Sequence, residues 1–159
     1  MDNLPYSRTQ VLQACLTLLQ HNAATAQHEM DSAQQQSNDY GANVDRYDSF
    51  RTKMMRQRDM YAKQLSNANA GIRVLQALMA QPPCSVADQG AIVITDKQQF
   101  LMGIGVGKFM VPYQATEKGR QTVFFAISAQ TPIYMALKGK HVGDSLTFNG
   151  VTQTIRTIL

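Results

Sequence analysis

Residues 11–33, VLQACLTLLQHNAATAQHEMDSA, decide the first half of the fold. Leu12, Leu16, Leu19, Ala23, Ala26, Met30 and Ala33 are spaced 4, 3, 4, 3, 4 and 3 apart, a sustained heptad seam on one helix face. Pro5 fits a first helical turn, and nothing interrupts the pattern before Asn38-Asp39-Tyr40-Gly41. A second seam follows: Tyr47, Phe50, Met54, Tyr61, Leu65, Ala68, Ile72, Leu75 and Met79. At about 100° per residue these fall within an arc of roughly 80°. The pattern stops at Pro82-Pro83. Residues 1–82 are thus expected to form an antiparallel coiled-coil hairpin, with helices over about 5–37 and 43–81 and a tip at 38–42. At about 1.5 Å per residue it would project on the order of 45 Å. Val11, Cys15 and Leu18 add a second apolar strip beside the first seam, suited to packing on another domain or a partner.

Beyond Pro82-Pro83-Cys84 the period changes from helical to alternating. The segments 91–95, 100–104, 108–111, 122–128, 145–148 and 151–159 are rich in Val, Ile, Phe and Thr and read as strands. Asn149-Gly150 between two such runs predicts a tight hairpin. Thr131-Pro132-Ile133 opens a short helix through Leu137, closed by Gly139, with Pro at the first helical position and Gly past the end. Gly103, Gly105 and Gly107 alternate at period two with no helix after them. They fit a twisted or bulged strand and not a dinucleotide or phosphate-binding loop. Residues 83–159 are expected to be an antiparallel sheet with one short helix, which makes the whole chain α+β.

The 159 residues carry a formal charge of +4, modest for a duplex-DNA binder, and the charge is uneven. Residues 41–80 hold seven basic and three acidic side chains, against one and four in residues 1–40. Arg46, Lys53, Arg56 and Lys63 share an arc of about 100° on one flank of the second seam. They can meet phosphate or an acidic protein surface, or simply form a solvated face. Cys15 and Cys84 have no metal-type spacing, and neither has the His-bearing neighbourhood of a nucleophile. His21 and His28 are seven apart and read as surface residues. No Trp is present, and Phe100, Phe109, Phe124, Phe125 and Phe148 read as sheet core, not as the lining of a prolyl-isomerase pocket. No segment is long and apolar enough to span a membrane and no targeting signal stands out, so a cytoplasmic protein is expected.

The stretch TPIYMALKGKHVGD, residues 131–144, resembles the C-terminal signature of the bacterial GreA/GreB transcript-cleavage factors. There the pattern is Ser-Pro-x-x-x-Ala-Leu-(Leu or Ile)-Gly-Lys-x-x-Gly-Asp followed by two strands. Thr131 stands for Ser and Lys138 for an aliphatic residue; the other positions agree. With the hairpin before it, the resemblance covers nearly the whole chain. It implies a C-terminal domain of FKBP-like fold that docks on RNA polymerase at the rim of the secondary channel, while the hairpin enters the channel. It places Gln130, Thr131 and Pro132 in the docking segment and makes the Arg46, Lys53, Arg56 and Lys63 stripe a candidate contact to nascent RNA. A Gre-like protein would be no enzyme itself; at most it stimulates cleavage by the polymerase, and it would bind as a monomer.

The tip departs from the family. Gre tips read Gly-Asp-x-x-Glu-Asn-Ala-Glu-Tyr, and two carboxylates there help hold a Mg²⁺ shared with the polymerase active centre. With the Tyr placed on Tyr47, the two acids fall on Tyr40 and Asn43, neither of them acidic. Asp39, Asp45 and Asp48 lie nearby, so Asp39 and Asp45 could present a pair from a rearranged turn. Asp39 or Asn43 could equally cap the second helix. The departure counts against cleavage stimulation but leaves polymerase binding untouched. The alternative class is a non-catalytic coiled-coil interaction protein of the same architecture, serving another partner or forming a homodimer.

Overall fold

The computed structural model describes residues 4–39, 48–113 and 119–159, the side chain of Asp48 excepted. The elements are α1 (Arg8–Asp39), α2 (Asp48–Met79), β1 (Ile92–Thr95), β2 (Gln99–Met102), β3 (Gly107–Pro112), β4 (Gln121–Ile127), α3 (Pro132–Leu137), β5 (Ser145–Phe148) and β6 (Val151–Ile158). The α+β class expected from the sequence is the one observed. Two compact units arise, one from Leu18–Arg73 and the other from Met1–Thr17 together with Val74–Leu159.

In the Leu18–Arg73 unit the two helices pack through a seam of mostly small side chains. Leu19, Ala26, Ala33 and Ser37 of α1 are buried, as are Met54 and Ala68 of α2. The other expected seam residues of this unit, such as Ala23, Met30 and Leu65, are half-buried. Arg58 Nη1 donates to Gln34 Oε1 at 2.7 Å and ties the helices together. Along α1 the amide side chains form i,i+4 bonds, Gln27 to Asp31, Gln34 to Asn38 and Gln35 to Asp39. Each such pair contributes about 0.2–0.5 kcal/mol to the helix. The expected tip at 38–42 needs correction at its start, because α1 continues through Asn38 and Asp39; residues 40–42 lie outside the described residues.

In the second unit, α1 begins three residues later than expected. Pro5 precedes the helix, and Ser7 caps it. The Ser7 N–H donates to Gln10 Oε1 at 2.8 Å while the Gln10 N–H donates to Ser7 Oγ at 3.3 Å. This reciprocal box satisfies donors that a helix start otherwise leaves unpaired. At the other boundary α2 ends at Met79, and the Ala80 and Gln81 N–H groups bond the Ala77 and Leu78 carbonyls in a tightened last turn.

The sheet has the order β3-β4-β2-β1-β6-β5. It was expected to be antiparallel throughout, but β2 and β4 pair in parallel, so it is mixed. The cause lies in the glycine run. The strand expected over 100–104 stops at Met102, and residues 103–106 form a connector, not a twisted strand. Gly103 takes φ +119°, and a Cβ there would lie 3.0 Å from Gln89 Cγ and 3.3 Å from the Gly90 nitrogen. The connector carries β3 past one strand position, and β4 fills the gap by hairpin return, which aligns it with β2. Asn149 and Gly150 both have positive φ, 52° and 77°, and make the expected tight hairpin between β5 and β6. In β6, Ile94 faces Thr157 whereas Thr95 faces Ile155, so Arg156 is the extra residue of a bulge.

Strand β1 is buried along its length, between β2 and β6. On one sheet face Val93, Phe100, Met102 and Ile155 pack with Ile133, Tyr134 and Leu137 of α3. Successive strand residues point to opposite faces, so Phe124 lies across the sheet from Phe125. The Phe124 ring meets Phe109 at 5.7 Å and stands edge-on to Tyr6 at 5.2 Å. Burial pushes the Tyr6 hydroxyl pKa up, with Tyr113 adding to the shift. Val11 and Cys15, the second apolar strip of the sequence, are fully buried here.

Arg8 joins four chain segments in this unit. From the first turn of α1 its guanidinium donates to Gly90 O at 2.7 Å, to Leu78 O at 3.0 Å and to Leu159 O at 3.4 Å. Bonds from a charged donor contribute about 1.5–3 kcal/mol when their loss strands a partly buried acceptor. Arg8→Ala is therefore expected to lower the unfolding free energy by about 2–3 kcal/mol in urea melts, with Arg8→Lys recovering less than half, because an ammonium lacks the planar fork. An unchanged midpoint in Arg8→Ala would mean that water replaces the clamp.

Candidate functional site

The segment 128–144 folds as a fixed turn, the one-and-a-half-turn helix α3 and a second turn. Thr131 is the N-cap of α3 by position, with extended backbone, but its hydroxyl does not cap the helix. It donates backward to Ser128 O at 2.7 Å, alongside the Thr131 N–H at 3.1 Å, and this locks the approach to the helix. Pro132 then occupies the first helical turn, where its missing N–H costs nothing. Ile133, Tyr134 and Leu137 are buried. Burial raises the Tyr134 phenol pKa and the Asp88 carboxylate raises it further, so the hydroxyl stays neutral.

The far end of α3 is held as firmly. Gly139 takes φ +81° and donates to Ala87 O at 2.7 Å, while Ala87 N–H donates to Lys140 O at 2.9 Å. Asp144 accepts from the His141 N–H at 2.7 Å and closes the next turn, where Gly143 at φ +93° donates to Ile155 O. Gly139, Gly143 and Asp144 of the motif thus have architectural duties. The side chains that remain outward include Gln130, Pro132, Met135, Lys138, His141 and Val142. Met135 is 68% exposed and Val142 56%, unusual for large apolar side chains so close to a core. Sequence reasoning singled out Gln130, Thr131 and Pro132 but missed Met135 and Val142; their signal was apolar residues falling outside the α3 core positions 133, 134 and 137.

On α2, Lys53, Arg56 and Lys63 are exposed and make no ion pair among the described residues. Arg46, the fourth member of the stripe, lies outside the described residues. Arg58 differs: it is bound to Asp59 Oδ1 at 2.8 Å as well as to Gln34, and so is committed within the hairpin. Of the three acids considered for the tip, Asp39 is exposed at the end of α1 and its carboxylate accepts from Gln35 Nε2 at 2.8 Å. The Asp45 residue and the Asp48 side chain lie outside the described residues, as does Asn43. Among the described residues no three His, Cys, Asp or Glu side chains gather as metal ligands. One exposed carboxylate does not make a Mg²⁺ site. Among those residues, also, no helix is long and apolar enough to cross a membrane.

The five phenylalanines expected in the sheet core divide. Phe109 and Phe124 are buried on the face shared with Tyr6, whereas Phe100, Phe125 and Phe148 line a cavity beside α3. No protein-family model, curated protein or solved structure matches this chain.

The two cysteines are both free thiols. Burial pushes the Cys15 thiol up to about 12, so it stays protonated and unreactive through the neutral range. With a thiol reagent at about pH 8, Cys84 is expected to react in the folded protein and Cys15 only after denaturant is added. Equal rates for Cys15→Ser and Cys84→Ser variants would contradict this order.

Proposed function

We propose that this protein is a Gre-like factor that binds RNA polymerase at the rim of the secondary channel and modulates elongation, with its two-helix arm as the inserted element. The observation that carries the reading is segment 131–144. It follows the Gre docking pattern in sequence, and its turns hold Pro132 and Met135 outward on a fixed helix start. An exposed apolar pair on a rigid support loses little entropy on docking, which favours association with a complementary groove. The element order, two 32-residue helices and then a sheet with one short helix, supports the same reading and an FKBP-like form of the sheet unit.

The unpaired cations suit the second half of the role. Among the described residues Lys53, Arg56 and Lys63 have no partner to give up, so phosphates of nascent RNA can neutralise them at small desolvation cost. The tip supplies one described carboxylate, Asp39. On this reading the factor acts by occupying the channel, and it does not itself break a bond.

Two measurements test it. Pull-down of RNA polymerase by the intact protein at low salt is expected to succeed, and Pro132→Ala with Met135→Asp to weaken it about tenfold or more, as for a central apolar contact; failure of the unaltered protein to bind would end the proposal. In stalled elongation complexes with Mg²⁺, transcripts are expected to keep their length while elongation or pausing changes. Shortened transcripts would instead bring acids of the tip into the active centre, and loss of shortening in Asp39→Ala or Asp45→Ala would identify them.

A further inference from the structure

The cavity beside α3 has a volume of about 490 Å³. Packed protein interiors leave few voids larger than a water, whereas small-molecule sites span about 300–1,000 Å³ and combine an apolar wall with a few placed polar groups. The wall here is aromatic and aliphatic: the Phe100 and Phe125 rings lie 6.2 Å apart, tilted by 39°, with Phe148, Ile127, Ile133 and Val151 beside them. The polar residues are Lys97, Gln98, Asn149 and Gln153, of which Lys97 carries the single charge.

Hydrogen bonds order Gln153 and Gln98 so that a donor, beside the Lys97 charge, is turned toward the cavity. The Thr95 Oγ accepts from the Lys97 N–H at 3.2 Å and from the Gln98 N–H at 2.9 Å, which fills both of its lone pairs. Only its proton is left to offer, and the nearest acceptor is Gln153 Oε1 at 2.6 Å. Gln153, itself 2% exposed, must then turn its NH₂ the other way, and Nε2 donates to Gln98 Oε1 at 2.8 Å. Gln98 is left with its NH₂ as the end of the chain, and that group makes no hydrogen bond among the described residues. Beside it Lys97 is exposed and without an ion pair. Two donors, one of them cationic, therefore border an apolar wall.

We propose that this cavity binds a small hydrophobic carboxylate, its aryl or branched alkyl part on Phe100, Phe125 and Phe148 and its carboxylate on Gln98 Nε2 and Lys97 Nζ. An acceptor-rich head group matches the donors, and a cationic ligand would meet the like charge of Lys97. The proposal stands independently of polymerase binding, because none of these residues belongs to the 130–132 docking segment.

The test uses the full chain and two probes of equal shape, phenylbutyrate and the neutral phenylbutanol, titrated into labelled protein while amide and side-chain NH₂ shifts are followed. Phenylbutyrate is expected to bind in the millimolar range or tighter, to move the signals of Gln98, Phe125 and Asn149, and to exceed the alcohol about threefold to tenfold in affinity. Lys97→Ala and Gln98→Glu are expected to remove that advantage while leaving alcohol binding within about twofold. Both positions are partly or wholly exposed, and a Glu at 98 can still accept from Gln153, so the fold is retained. Equal affinity of the two probes, parallel loss of both in the variants, shifts confined to another surface, or no binding of phenylbutyrate would each overturn the proposal.

Discussion

A single guanidinium governs the unit that contains the sheet. Element ends leave backbone carbonyls without partners, and burying them unpaired costs about 1–3 kcal/mol each. Arg8 meets carbonyls at three element ends: Gly90 O before β1, and Leu78 O near the end of α2 and Leu159 O beyond β6, which also accept from the Gln81 and Ile92 N–H groups. A lysine could satisfy one of them; only a planar fork with several donors reaches all three. The capping box of Ser7 and Gln10 sets the start of α1 and therefore the position of Arg8 one residue later. Local helix chemistry and long-range closure thus meet within four residues.

The helices were legible because their apolar period is long and is punctuated by Pro82-Pro83. Their starts were less so: Pro5 attracted the first boundary, whereas the Ser7-x-x-Gln10 spacing, equally visible, carried the cap. Strand positions were legible to within a residue or two, and the Asn149-Gly150 turn was legible outright, since few residues other than Gly and Asn tolerate positive φ. The parallel pairing of β2 with β4 was not. Nothing in a strand's composition states which neighbour it takes, and the glycines that decide it act through a close approach to Gln89 and Gly90 across the fold.

The site shows the same division. Motif positions with architectural duties, Gly139, Gly143 and Asp144, could be matched by pattern. Their duties became visible only with the bonds to Ala87, Ile155 and His141. Phenylalanine spacing could not separate core from cavity, because Phe124 and Phe125 are adjacent in sequence and lie on opposite faces. The direction of the Thr95–Gln153–Gln98 chain is likewise invisible to sequence, as it depends on which lone pairs two backbone N–H groups occupy.

One compact unit is continuous, Leu18–Arg73, and the other is assembled from both ends of the chain. That arrangement sets an order in time. A chain emerging residue by residue can pair its two helices in the continuous unit as soon as Arg73 has been made, with loop closure over a short span. The other unit cannot set Tyr6 against Phe124 until β4 exists, nor close the Arg8 contact with Leu159 until 151 positions after Arg8. Its apolar helix start is thus the segment most in need of shelter during synthesis, and slow closure of such distant contacts is the kinetic cost of this architecture.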